Sequence, residues 1–280
     1  MTSAPPINAA APTIHRTLAL NAPPGRIVLR SGATNSLQRY YQYVPARAPV
    51  PGRTLVSVHG ISRNARDHVR LLAPLAEQYG ATVIAPLFDE TFFSDYQRLG
   101  RRGRGERADL ALNDILIDAL APTPPKIALF GYSGGGQFAH RYALAHPERV
   151  AALALAAPGW FTYPDHDQRY PYGLATDNRL PGVHFDPDQF LRIPTLVLVG
   201  AHDITRNSSL RRSERLDRAQ GRNRVVRGNR WISAMKSAAR QRGFTTPYVF
   251  RCLPNTDHDF VASMTRDAMG VAVFRFLFGR

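Results

Sequence analysis

Residues 129–150 read LFGYSGGGQFAHRYALAHPERV, and the fold turns on how they are parsed. The apolar run 127–130 breaks at Gly131-Tyr132-Ser133-Gly134-Gly135, after which Phe138, Tyr142 and Ala145 recur at helical spacing before Pro147. This is a strand running straight into a helix. So tight a turn leaves its flanking positions room for little beyond hydrogen, and Gly131 and Gly135 supply that. It lifts the Ser133 hydroxyl above the sheet at a helix N-terminus, where the dipole favours negative charge. A phosphate-binding glycine turn would need GxGxxG or GK[ST] spacing, which the stretch lacks.

Outward from this turn the chain alternates. Short, continuously apolar runs lie at 54–58, 81–86, 127–130, 150–157, 195–199 and 248–253, as expected of strands covered on both faces. Between them run helical stripes. Val69, Leu72, Ala73, Ala76 and Tyr79 make one, closed by Gly80, with Pro74 expected to start or kink the helix. Leu112, Ile115, Leu116 and Ala119 make another, and 231–241 and 260–277 read as two helices near the end. Ahead of these, 26–30 and 39–44 read as an antiparallel pair around a polar turn. Alternating strands and helices imply a doubly wound, mostly parallel α/β sheet.

Four segments together resemble the α/β-hydrolases. Residues 129–150 look like their nucleophile elbow, VSVHGISRN (56–64) like the strand ending in a His-Gly oxyanion loop, LVLVGAHD (196–203) like the strand carrying the acid, and LPNTDHDF (253–260) like the histidine loop. The resemblance spans about residue 54 to the C-terminus and implies the α/β-hydrolase fold with helices on both faces of the sheet. Among branches it is similar to bacterial serine esterases of the dienelactone-hydrolase and polyhydroxybutyrate-depolymerase-like kind.

Each expected site residue also rests on chemistry. A serine hydroxyl needs a base to take its proton, and an imidazole titrates near neutrality. His258, in a polar loop after an apolar strand, sits where a sheet-edge base belongs. The imidazole needs a carboxylate to fix its tautomer. Asp203, just past 195–199, is the expected acid, with Asp165 the runner-up; the order Ser133, Asp203, His258 is that of the α/β-hydrolases. The oxyanion needs two N–H donors. Gly134 should give one, and the family pattern points to Ile61 for the other. Tyr132, Trp160 and Phe161 are the expected substrate contacts, the last two in an aromatic, proline-rich cap segment at about 160–190. No HxH or HxxxH pair is present and Cys252 is the sole cysteine, so neither metal nor cofactor is expected, and an intrachain disulfide is excluded.

The 280 residues, 44% hydrophobic and 20% charged, suit one soluble domain at 26–280 behind a disordered Pro/Ala tail at 1–25. No apolar run nears the ~20 residues of a membrane span, and no signal peptide is read in the tail, so the expected compartment is the cytoplasm. The net charge of +15 is nearly all arginine, concentrated at 98–107 and 206–230. These runs are read as solvated decoration, with attraction to an anionic substrate or surface as the alternative. Stacking aromatics are not interleaved with them, so no specific nucleic-acid partner is expected. The expected function is hydrolysis of a small or polymeric carboxylic ester through an acyl-enzyme at Ser133. Acyl transfer, thioester or peptide cleavage on the same triad stay open, as does a non-catalytic protein binding an anionic partner. Oligomeric state is not legible.

Overall fold

A computed structural model describes residues 23–33 and 35–279; the expected tail lies outside the described residues except for 23–25. Among the described residues eight strands form one sheet: β1 (Arg26–Ser31), β2 (Arg39–Val44), β3 (Thr54–Val58), β4 (Thr82–Pro86), β5 (Ile127–Tyr132), β6 (Val150–Ala156), β7 (Thr195–Gly200) and β8 (Tyr248–Leu253). Their order across the sheet is β1-β2-β4-β3-β5-β6-β7-β8. β2 pairs antiparallel with both its neighbours, and all other pairings are parallel. The terminal antiparallel pair matches its expected boundaries to within one residue.

The apolar runs of β3 to β7 are continuous because both faces of the sheet are covered there, whereas edge strand β8 leaves Arg251 and Cys252 exposed. Along β7, Leu196 and Leu198 enter one core while Val197 and Val199 enter the other, the two-residue period of a strand. On the first face lie α1 (Ala65–Tyr79) and the last helix of the chain. On the second lie α2 (Ala108–Ala119), α3 (Gly134–Ala145) and a longer helix, Arg224–Gln241. Pro74 sits inside α1 without ending it. Its ring removes one hydrogen bond to the Arg70 carbonyl, and Arg70 is exposed, so water can take that carbonyl.

Two helix readings change. The helix expected at 231–241 begins seven residues earlier, at Arg224, capped by the Asn223 side chain on the Val226 N–H at 2.9 Å. It is α6, preceded by the short α4 (Pro187–Phe190) and α5 (Glu214–Gln220). The helix expected at 260–277 is two, α7 (Phe260–Thr265) and α8 (Met269–Phe278), parted at Ala268 with φ 49°. The cause is Asp267, whose carboxylate accepts from Asn255 N and Nδ2 and from Thr256 Oγ1 at 2.7–3.0 Å. Turning out of the helix lets it hold the loop after β8.

The second arginine run is not all solvated. Arg224 and Arg227, one turn apart on α6, are fully buried. Arg227 donates to the carbonyls of Gly221 and Gly159 and to Asp217. Its partners offset the cost of burying the charge.

Candidate active site

β3 and β5 are neighbours, and the chain leaves them toward opposite sides of the sheet. Such a switch point opens a crevice at the carboxyl ends of the strands. β5 delivers Ser133 there and β3 delivers His59-Gly60-Ile61.

The elbow is as tight as its glycines suggest. A Cβ on Gly135 would lie 2.0 Å from the Val58 carbonyl oxygen, and one on Gly131 would lie 2.2 Å from that of Gly135. Ser133 itself holds φ 52° and ψ −112°, a region that disfavours any side chain. Its N–H donates to Ala156 O at 2.7 Å, which binds the turn to β6.

Ser133 Oγ lies 2.9 Å from His258 Nε2, and His258 Nδ1 lies 2.8 Å from Asp203 Oδ2. A carboxylate only accepts, so the imidazole proton sits on Nδ1 and Nε2 is free to accept from the serine hydroxyl. Asp203 is buried at the end of β7, its N–H on Gly200 O. The Tyr132 ring stacks on His258 with centroids 5.4 Å apart. Burial pushes the Tyr132 phenol well above its ordinary value, so it stays neutral. Asp165 instead binds Asp167 N and Gln168 Nε2 within its own turn, away from His258.

The His-Gly loop is built around a neutral histidine. His59 is fully buried, which lowers its pKa from 6.5 to about 4. Its Nδ1 donates to Gly60 O at 2.8 Å, and its Nε2 accepts from Phe88 N at 3.1 Å. Arg63 N also donates to Gly60 O. In a trans peptide the N–H points opposite to the C=O, so holding the Gly60 carbonyl inward aims the Ile61 N–H outward. Among the described residues neither the Ile61 nor the Gly134 N–H meets an acceptor. A Cβ on Gly60 would lie only 3.5 Å from Ser133 Cβ, so the two loops nearly touch.

A cavity of ≈ 320 Å³ opens over Ser133 and His258. Gly60, Ile61, Ser62 and Asn64 line one part, Asp259, Phe260 and Val261 another, and Tyr132 and Ser209 the rest. Trp160 and Phe161 are not in this lining. Phe161 is fully buried, stacked on Trp231 at 4.8 Å and tied through its backbone to Gln220. Trp160 is covered by Tyr172 and by the guanidinium groups of Arg98, Arg141 and Arg211, 4.3–5.9 Å from its ring. The cap aromatics pack the segment onto the body, because rings of that area are buried wherever a long loop can cover them.

Sequence reading did not single out the lining residues Ser62, Asn64, Ser209, Asp259, Phe260 and Val261; Ser209 and Val261 lie outside the quoted segments, and the other four lie inside them without a role that local chemistry assigns. A second serine–histidine pair, Ser57 Oγ to His68 Nδ1 at 2.8 Å, is fully buried, and His68 stacks on Phe260 at 3.9 Å. It supports the cavity wall from below. Among the described residues, no group of three or more His, Cys, Asp or Glu could hold a metal ion. No helix there is long and apolar enough to cross a membrane.

A family described as the alpha/beta hydrolase fold matches residues 53–191. No curated protein matches the sequence. Among solved structures, poly(aspartic acid) hydrolase-1 from Sphingomonas sp. KT-1 superposes with a TM-score of 0.72 at 22% identity, over 90% of this chain and 99% of that one. The poly(3-hydroxybutyrate) depolymerase LpqC from Bordetella parapertussis gives 0.66 at 27% identity, over 87% and 84%. The fluorophosphonate-binding serine hydrolase FphF of Staphylococcus aureus gives 0.57 at 16%, over 91% and 99%.

Proposed function

Because the chain is an α/β-hydrolase-fold protein, we propose that it is a serine hydrolase cleaving carboxylic esters through an acyl-enzyme on Ser133. One observation carries this reading: the unbroken line from Ser133 Oγ through His258 to Asp203, at 2.9 and 2.8 Å, beneath an open cavity. His258 Nε2 takes the serine proton as Oγ attacks the ester carbonyl. The Gly134 and Ile61 N–H groups receive the oxyanion, each contributing roughly 3 kcal/mol to the lowered barrier. The imidazolium returns its proton to the departing alcohol. Water then repeats the sequence on the acyl-enzyme and regenerates the serine. Asp203 stays ionised throughout and stabilises the imidazolium.

The test is reaction of the purified protein with a fluorophosphonate and with a panel of chromogenic esters of graded acyl length. Labelling at Ser133 is expected, and Ser133→Ala should lower kcat by about 10⁴ to 10⁶. A Ser133→Ala variant that keeps most of its activity removes the assignment.

A second reading is an acidic polymer as substrate. It is favoured by the two arginine runs, whose Arg98 and Arg211 meet over the Trp160 ring, and by the charge of +15. One of the superposed structures is named for hydrolysis of poly(aspartic acid). Poly(aspartate) turnover that falls steeply with salt, against salt-insensitive hydrolysis of a neutral polyester, selects this reading.

A further inference from the structure

Asp203 has two carboxylate oxygens, and the triad uses only Oδ2. Oδ1 accepts from Arg224 Nη1 at 2.9 Å, an ion pair in which Arg224 is fully buried and Asp203 is 2% exposed. Arg224 Nη2 donates in turn to Ser209 Oγ at 2.9 Å, and Ser209 lines the cavity over Ser133. Arg224 is the first residue of α6, where the helix dipole disfavours a cation. A buried arginine is held in that position by its partner, and its partner is the acid of the triad.

We propose that Arg224 is a positioning residue for the Ser133–His258–Asp203 relay, setting both the orientation and the pull of the Asp203 carboxylate; this rests on the serine-hydrolase reading above. The guanidinium fork fixes the carboxylate plane so that Oδ2 faces His258 Nδ1. Its charge also competes with the imidazolium for the same carboxylate. With Arg224 present Asp203 attracts the His258 proton less strongly than it would alone. Among the described residues the charged and titratable groups around His258 are Asp203 from the β7 loop with Arg224 behind it from α6, Tyr132 from β5, and its sequence neighbours Asp257 and Asp259, the latter capping α7 through Ala262 N. Of these Arg224 is the cation.

The readout is the rate of Ser133 phosphonylation by a fluorophosphonate between pH 4.5 and 9, which requires no knowledge of the ester. Serine oxygen bonds to phosphorus, the P–F bond breaks, fluoride leaves and His258 takes the proton. Arg224→Met should move the acid limb of this profile to higher pH by at least about half a unit. Arg224→Lys, which keeps the charge but not the fork, should keep the wild-type limb while its plateau rate falls about tenfold. A limb shared by wild type and Arg224→Met, or a wild-type plateau in Arg224→Lys, overturns the proposal. If Arg224→Met does not fold, Arg224→Lys decides through its plateau. Wild-type protein that is not labelled at Ser133 overturns the serine-hydrolase reading and this inference with it.

Discussion

His59 shows how one residue type serves opposite roles within a few ångströms. His258 is half-buried beside a carboxylate and faces the cavity, whereas His59 is enclosed and held neutral by burial, with a pKa near 4. A neutral His59 keeps one N–H for Gly60 O and one lone pair for Phe88 N, and so aims the Ile61 N–H. His59→Ala should therefore lower kcat by about 10²-fold, with KM little changed, if the donor it aims acts on the transition state as proposed. His59→Asn, which can still donate to Gly60 O, should lose less. Steady-state kinetics on one chromogenic ester check this, and a change confined to KM would contradict it.

Among the elements, the break between α7 and α8 matters most to the site. Asp267 leaves the helical path to grip Asn255 and Thr256, the residues leading into His258. Asp267→Ala should free that loop, lowering kcat by about tenfold and raising amide hydrogen exchange across 254–259. Undisturbed exchange there would show that the loop is held otherwise. This break was not legible in the sequence, since Phe260, Met264, Val271 and Phe274 keep an apolar spacing across it. What defeats the helix is a carboxylate bonded to residues 11 and 12 positions away, and periodicity reports only neighbours three or four apart. By contrast the central strands β3 to β7 were legible almost to the residue, because burial on both faces keeps charged side chains out of them. Ser133, His258 and Asp203 were legible through local turn chemistry at strand ends. Arg224 was not, because inside an arginine run nothing local separates a buried guanidinium from a solvated one.

At the scale of the whole molecule, three histidines enclosed in the body tie its parts together. His59 joins β3 to Phe88, His68 meets Ser57, and His140 links α3 to Thr162 of the cap segment. Burial lowers all three, His68 and His140 well below 6.5. An unfolded histidine takes up a proton near pH 6.5, and these do so only at much lower pH once folded. The stability they contribute is thus fully present above about pH 6.5 and lost as pH falls toward 4, with His59 alone worth on the order of 3 kcal/mol. Urea midpoints should fall between pH 7.5 and 5, and His140→Gln should flatten that dependence. A midpoint unchanged over this range would mean that the histidines are reached by water.

The backbone at Ser133 has one more consequence. At φ 52° and ψ −112° a side chain costs about 1–3 kcal/mol, and the hydroxyl makes no helix-capping bond that offsets it. Glycine would sit there without that cost. Ser133→Gly should melt a few degrees above wild type while losing its chemistry. Random variants selected for heat resistance alone would then drift toward glycine at position 133, and each generation of survivors would be hardier and less able to hydrolyse anything.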